Sequence, residues 1–188
     1  MNKIIAIVGM CGVGKSVACE FLENTGYQKV YFGGVTMEKL KEEGLDVTPE
    51  NEKMMRERLR SELGMGAYAK VLLPKIKELS EESNVVLDGL YSWDELKILK
   101  EEFGEAITVI CVIADRALRY ERLAKRDVRP FTNEEAMHRD MSEIENLAKG
   151  GPIAYADYYI LNNGNIEEFE IRLKEILDDL GFTRKYTK

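Results

Sequence analysis

Gly9-Met10-Cys11-Gly12-Val13-Gly14-Lys15-Ser16 follows the apolar run Ile4–Val8 and opens a helical pattern from Lys15 to Asn24 that stops at Gly26. The spacing is that of a phosphate loop, G-x-x-x-x-G-K-[ST], and each required position has a physical reason. Glycines let the backbone curl until successive N–H groups point at phosphate oxygens. The start of the following helix adds the positive end of its dipole. A lysine at position 15 reaches the β- and γ-phosphates of a nucleoside triphosphate, and the Ser16 hydroxyl ligates magnesium. Gly9, Met10, Cys11, Gly12, Val13, Gly14, Lys15, Ser16 and Val17 are therefore the expected contacts to ATP with Mg2+. Cys11 suits either a redox-sensitive thiol or a small filler inside the loop.

Outward from the loop, continuous apolar runs at Ile4–Val8, Val85–Leu87, Ile107–Ile113 and Tyr158–Leu161, with a weaker one at Lys29–Phe32, read as buried strands. Helical patterns separate them. Thr48-Pro49 opens one helix, and Ser92-Trp93-Asp94-Glu95 and Thr132-Asn133-Glu134-Glu135 have capping-box spacing. Asn165 caps a last helix that sets Ile166, Phe169, Leu173, Ile176, Leu177 and Leu180 on one side, with Gly181 as its stop. Strand–helix alternation predicts a three-layer α/β/α fold with a parallel sheet, in one domain over 1–188.

Composition narrows the partners. The 188 residues carry a formal net charge of -7, with 45% hydrophobic and 32% charged residues. An acidic globular chain disfavours a nucleic-acid or anionic-membrane partner, both of which want a positive field. Cys11, Cys19 and Cys111 show neither a disulfide framework nor metal-binding spacing, and His138 is the single histidine. A reduced, cytoplasmic protein is expected, with His138 as a surface or structural residue.

Asp88 ends the run Asn84-Val85-Val86-Leu87 and precedes Gly89. A carboxylate there can hold the magnesium shell, and an Asp-Gly pair can equally form a plain turn. Arg116, Arg119, Arg122, Arg126 and Arg129 form a cluster, with Arg139 further on; Arg119, Arg122 and Arg126 have the spacing of one helix face. Guanidinium groups stabilise charge on a phosphoryl group in flight. A solvated helix pairing with Glu121 and Asp127 would use the same residues.

These stretches together resemble the nucleoside-monophosphate-kinase group of P-loop proteins, closest to adenylate-kinase-like and dephospho-coenzyme-A-kinase-like proteins, many of them archaeal. The resemblance runs over nearly the whole chain, through Ile5–Ser16, Gly33–Gly44, Val86–Gly89, Arg119–Leu123 with Arg126, His138-Arg139-Asp140 and Ala156–Gly164. It implies a five-stranded parallel sheet, an acceptor-binding helical region around residues 33–70, and a lid near 125–140 from which Arg126 and Arg129 reach the phosphates. It places Asn163 and Gly164 against the adenine. The implied activity is transfer of the γ-phosphoryl group of Mg-ATP to a nucleotide or coenzyme-like small molecule. Lys15, Asp88, Arg122, Arg126 and Arg129 would be catalytic, and Ser16 with Asp88 would hold the metal. Gly33, Gly34, Arg58, Arg60 and Tyr91 would meet the acceptor.

The group's aspartate after Gly33 and two of its phosphate-gripping arginines are replaced by Gly34, Met37 and Tyr91. Neither Met nor Tyr replaces a bidentate clamp. Arg56, Arg58 and Arg60 are the residues available to substitute, or else exposed charges on an acidic helix. A nucleotide-dependent regulatory module or a slow ATPase with a degenerate acceptor site is the alternative reading.

Overall fold

The computed structural model describes residues 2–181. Strands β1 (Ile4–Val8), β2 (Gln28–Tyr31), β3 (Val85–Asp88), β4 (Ile107–Ile113) and β5 (Tyr158–Leu161) form one parallel sheet in the order β2-β3-β1-β4-β5. All five residues of β1 are buried, as a central strand covered on both faces requires. Ile4, Ala6 and Val8 face one way, under α2 (Gly34–Glu42), α3 (Pro49–Leu63), α4 (Ala67–Glu82) and α5 (Trp93–Phe103); Leu40, Met55, Ile76 and Leu96 fill that layer. Ile5 and Ile7 face the other way, against α1 (Lys15–Asn24) and α9 (Ile166–Asp179), through Ala18, Leu22, Phe169 and Leu173. The period-two split of one strand thus feeds two cores, and the three layers follow.

The predicted helix ends are those observed. Thr48 accepts from the Asn51 amide with Pro49 in the first turn. Ser92 with Glu95, and Thr132 with Glu135, close reciprocal capping boxes. Asn165 caps α9, and Gly26 and Gly181 adopt the left-handed conformation at the predicted stops.

Three boundaries differ from the sequence reading. β2 ends one residue before Phe32, which turns into the core while its amide bonds the Asp88 carbonyl at 2.8 Å. On α9 the buried stripe is Phe169, Leu173 and Leu177, and Ile166 is exposed. Helix α6 (Arg116–Ala124) stops before Arg126, so Arg119, Arg122 and Arg126 do not share one helix face. Beyond it lie α7 (Asn133–Glu145) and the short α8 (Gly150–Ala154). No helix among the described residues is long and apolar enough to cross a membrane.

The chain passes from β1 over β3 to β2, returns to β3, and then crosses β1 to reach β4, so its connections run to opposite sides of β1. A crevice opens at such a switch point, outside the carboxyl ends of the strands. The parallel register sets Asp88 beside Ile7 and Tyr31, two residues short of Gly9. The phosphate loop and the end of β3 therefore share that crevice.

Candidate functional site

The loop from Gly9 to Ser16 joins β1 to α1 through three left-handed glycines, with φ of 138° at Gly9, 84° at Gly12 and 100° at Gly14. Space as well as dihedral demands them. A Cβ at Gly12 would lie 2.8 Å from the Arg119 carbonyl oxygen, and one at Gly14 would lie 2.6 Å from Asn162 Nδ2. Carbonyls of the loop are held by side chains, two of them from outside the loop. Arg119 Nη1 donates to Cys11 O at 3.0 Å, Asn162 Nδ2 to Val13 O at 2.8 Å, and Lys15 Nζ to Met10 O at 2.9 Å. The amides of Cys11 to Ser16, by contrast, donate to no carbonyl among the described residues. A run of backbone donors without internal acceptors, at the start of a helix, fits the oxygens of a polyphosphate.

The ionisable groups agree with that fit. Burial holds the Lys15 ammonium below its usual range, while Glu143, Cys11 and Asp88 pull it back up. Burial raises the Asp88 carboxyl above an ordinary aspartate, opposed by Lys15 and Lys29; its carboxylate lies against Cys19, one turn beyond Ser16. Ser16 is exposed at the head of α1. No group of three or more His, Cys, Asp or Glu side chains gathers to hold a metal among the described residues. One hydroxyl and one carboxylate suit Mg2+, which keeps waters and phosphate oxygens as its other ligands.

On the outer side of α1 a groove of about 190 Å³ is lined by Gly14, Val17, Arg122, Asn162, Gly164 and Phe169, among others. Arg122 Nη1 is buried there without a hydrogen-bond partner. Asn163 is not in that groove wall; its Oδ1 accepts from the Asp115 amide at 3.0 Å and so caps the approach to α6.

A second cavity, of about 270 Å³, opens between α2, α3 and the ends of β2 and β3. Tyr31, Phe32, Tyr68 and Tyr91 give it aromatic walls, and Arg56, Arg60, Arg129 and Arg139 line it with a single carboxylate, Glu52. Met37 and Tyr91 are both in this wall. Cations absent at those two positions are thus present from α3 and α7. Gly33 is also in the wall and has no room for a side chain, since a Cβ would strike the Tyr31 ring. Gly34 begins α2 and does not line the cavity.

The structure does not bring Arg58 to this cavity. It is half-exposed and turned onto Glu43, with Glu62 3.8 Å away. Arg60, two residues on, faces inward, with its guanidinium 5.5 Å from the Tyr68 ring centre and its Nε buried without a partner. Arg58→Ala is expected to leave inorganic phosphate binding unchanged within about twofold, and Arg60→Ala to weaken it about tenfold, as read by calorimetry. Equal effects would remove Arg60 from the site.

Arg126 and Arg129 sit on the segment between α6 and α7. Arg126 is exposed, its Nη1 4.0 Å from Cys11 Sγ. Arg129 has a left-handed backbone, φ 52°, and grips Glu52 at 3.0 and 3.3 Å. The C-terminal half of the expected lid is anchored. Asp140 on α7 takes a two-pronged contact from Arg119, at 2.9 and 2.6 Å, plus the Tyr120 hydroxyl at 3.2 Å. Glu143, Lys149 and Glu52 carried no sequence signal of their own; Asp140 and Asn162 lie within stretches that carry the resemblance, which gave them no role.

A family model described as an AAA domain matches residues 5–150. The UPF0200 protein TK1334 of Thermococcus kodakarensis is 36% identical over 181 residues, covering 94% of this chain and 97% of the relative. Among solved structures, TT1252 from Thermus thermophilus superposes with a TM-score of 0.64 at 21% identity, covering 95% of this chain and 98% of that one. Shikimate kinase from Bacteroides thetaiotaomicron gives 0.56 at 16% identity, covering 94% and 98%. At such identities the likeness is one of fold.

Proposed function

The chain belongs to the AAA domain family and to the UPF0200 group, and from that premise we propose that it is a small-molecule kinase using Mg-ATP. The observation that carries the reading is the pairing of two sites in one crevice. A phosphate loop with unpaired amides lies beside a cavity that holds four arginines against one glutamate. A triphosphate on the loop and an anionic acceptor in the cavity would meet near Asp88, at the ends of β1 and β3.

The roles follow from position. Loop amides and the Lys15 ammonium would hold the β- and γ-phosphates, and their attraction is strongest where water is excluded. Ser16 and Asp88 orient magnesium, which when bound neutralises charge developing on the phosphoryl group. Arg122 and Arg126, beside the loop, supply further positive charge. Arg129 would leave Glu52 to join them as the part of the lid ahead of α7 closes and keeps water from the γ-phosphate. Gly164 and Val17 would border the nucleoside. As the acceptor oxygen bonds to the γ-phosphorus, the bond to the β–γ bridging oxygen breaks and ADP leaves.

The test is coupled-assay turnover of Mg-ATP across monophosphates, sugars and dephospho-coenzyme A. Asp88→Asn should lower kcat about a hundredfold while changing nucleotide affinity about threefold or less, because its work is on charge that develops during transfer. Small, equal effects on both would make Asp88 a turn residue. Tight nucleotide binding with no turnover of any acceptor would favour the regulatory-module reading.

A further inference from the structure

Glu143 on α7 is a buried carboxylate shared between two cations. Its Oε1 accepts from Arg139 Nε at 2.8 Å and its Oε2 from Lys149 Nζ at 2.5 Å; side-chain exposure is 2% for Glu143 and 1% for Lys149. Lys149 reaches that place through Ala148, a non-glycine residue at φ 49°. Its ammonium rests 4.3 Å from the centre of the Tyr91 ring. Tyr91 is in turn fixed by its amide, which donates to Glu95 at 2.9 Å. A strained backbone, a buried ammonium and a buried carboxylate have been assembled together, and structural strain concentrates at working sites.

What the assembly controls is Arg139. With Nε bonded to Glu143, its Nη1 and Nη2 have no partner among the described residues, and the half-exposed guanidinium lines the acceptor cavity. Glu143 also lies close enough to attract Lys15 on the phosphate loop. A full negative charge there would compete with phosphate for both cations. Lys149 removes that competition by neutralising Glu143.

Resting on the kinase reading, we propose that Glu143 is a positioning residue that aims Arg139 at an anionic phosphate group of the acceptor. In the same arrangement Lys149 keeps Glu143 from drawing Arg139 and Lys15 away from phosphate. The groups facing Lys149 are Glu143 from α7, Tyr91 after β3, and Lys15 and Cys11 from the loop; burial and Lys15 lower its ammonium to about 8.

The test uses the full chain, Mg–AMP-PNP to fill the loop, and inorganic phosphate as the probe of the cavity. The charge-balanced double variant Glu143→Gln with Lys149→Met should bind Mg–AMP-PNP within about twofold of the parent and lose about tenfold in phosphate affinity. Lys149→Met alone should weaken both ligands, because Glu143 is then unneutralised. Phosphate affinity of the parent should fall as pH rises from about 8 to about 9.5, where the probe is already the dianion, and the double variant should lack that fall. Parent-like phosphate binding by the double variant would make the trio merely structural and overturn the proposal. A measurement on the parent protein covers the case of a variant that does not fold. The Arg139 Nε–H resonance should be slow to exchange and should shift when phosphate is added; a resonance unmoved by saturating phosphate sinks the idea. Failure of Mg–AMP-PNP to bind the parent would count against the kinase reading instead, and is read separately.

Discussion

Lys15→Ala is expected to lower magnesium-dependent turnover about a thousandfold, near 4 kcal/mol of transition-state stabilisation, and to weaken triphosphate binding. Its ammonium makes one protein hydrogen bond, to the Met10 carbonyl, and burial already disfavours its charge. Removing it therefore costs the fold little, and the melting temperature should stay within a few degrees of the parent. Triphosphate affinity unchanged by calorimetry, with turnover intact, would show that the loop does not grip phosphate.

The second large effect is on stability. Asp140→Ala should destabilise the protein by about 3–5 kcal/mol, because it leaves the buried Arg119 guanidinium without its two-pronged partner. At a few degrees per kcal/mol for a chain of this size, the melting temperature should drop roughly 10 °C. The double variant Arg119→Met with Asp140→Leu separates two roles. It should regain most of the stability, since an apolar pair can replace a buried ion pair of similar volume. It should still bind triphosphate more weakly, since Cys11 O has lost the donor that shapes the loop. Full recovery of both would confine Arg119 to a structural role.

These two residues mark the limit of what the sequence disclosed. The phosphate loop, the strands and the helix caps are local: each is set by neighbours within a few positions, and each lies within about a residue of its expected bounds. The arginines were not separable that way. Arg58 and Arg60 are two residues apart on α3, about 200° around the helix, so one faces Glu43 and the other the cavity. Nothing within α3 says which. Arg119 and Arg122 diverge similarly, one clasped by Asp140 and one turned to the groove beside Gly14. Glu143 with Lys149, and Glu52 with Arg129, are matched through packing of α7, α8 and α3, which no single-segment pattern records. Met37 and Tyr91 leave two positions without a cation, and α3 offers Arg56, Arg58 and Arg60 in their place; only the packing shows that Arg56 and Arg60 turn inward, with Arg129 and Arg139 beside them.

The clasps on the loop also bear on how the protein is made. Its motif is complete by Ser16, yet Cys11 O is held by a residue 108 positions later and Val13 O by one 149 positions later. Contacts of such separation form only after long chain segments have been brought together. During synthesis the motif leaves the ribosome well over a hundred residues before Asn162 does. A nascent chain therefore carries the full signature long before it has the shape to use it. On the kinase reading, nucleotide-binding competence waits for those distant contacts, and the nucleotide would select finished molecules over unfinished ones.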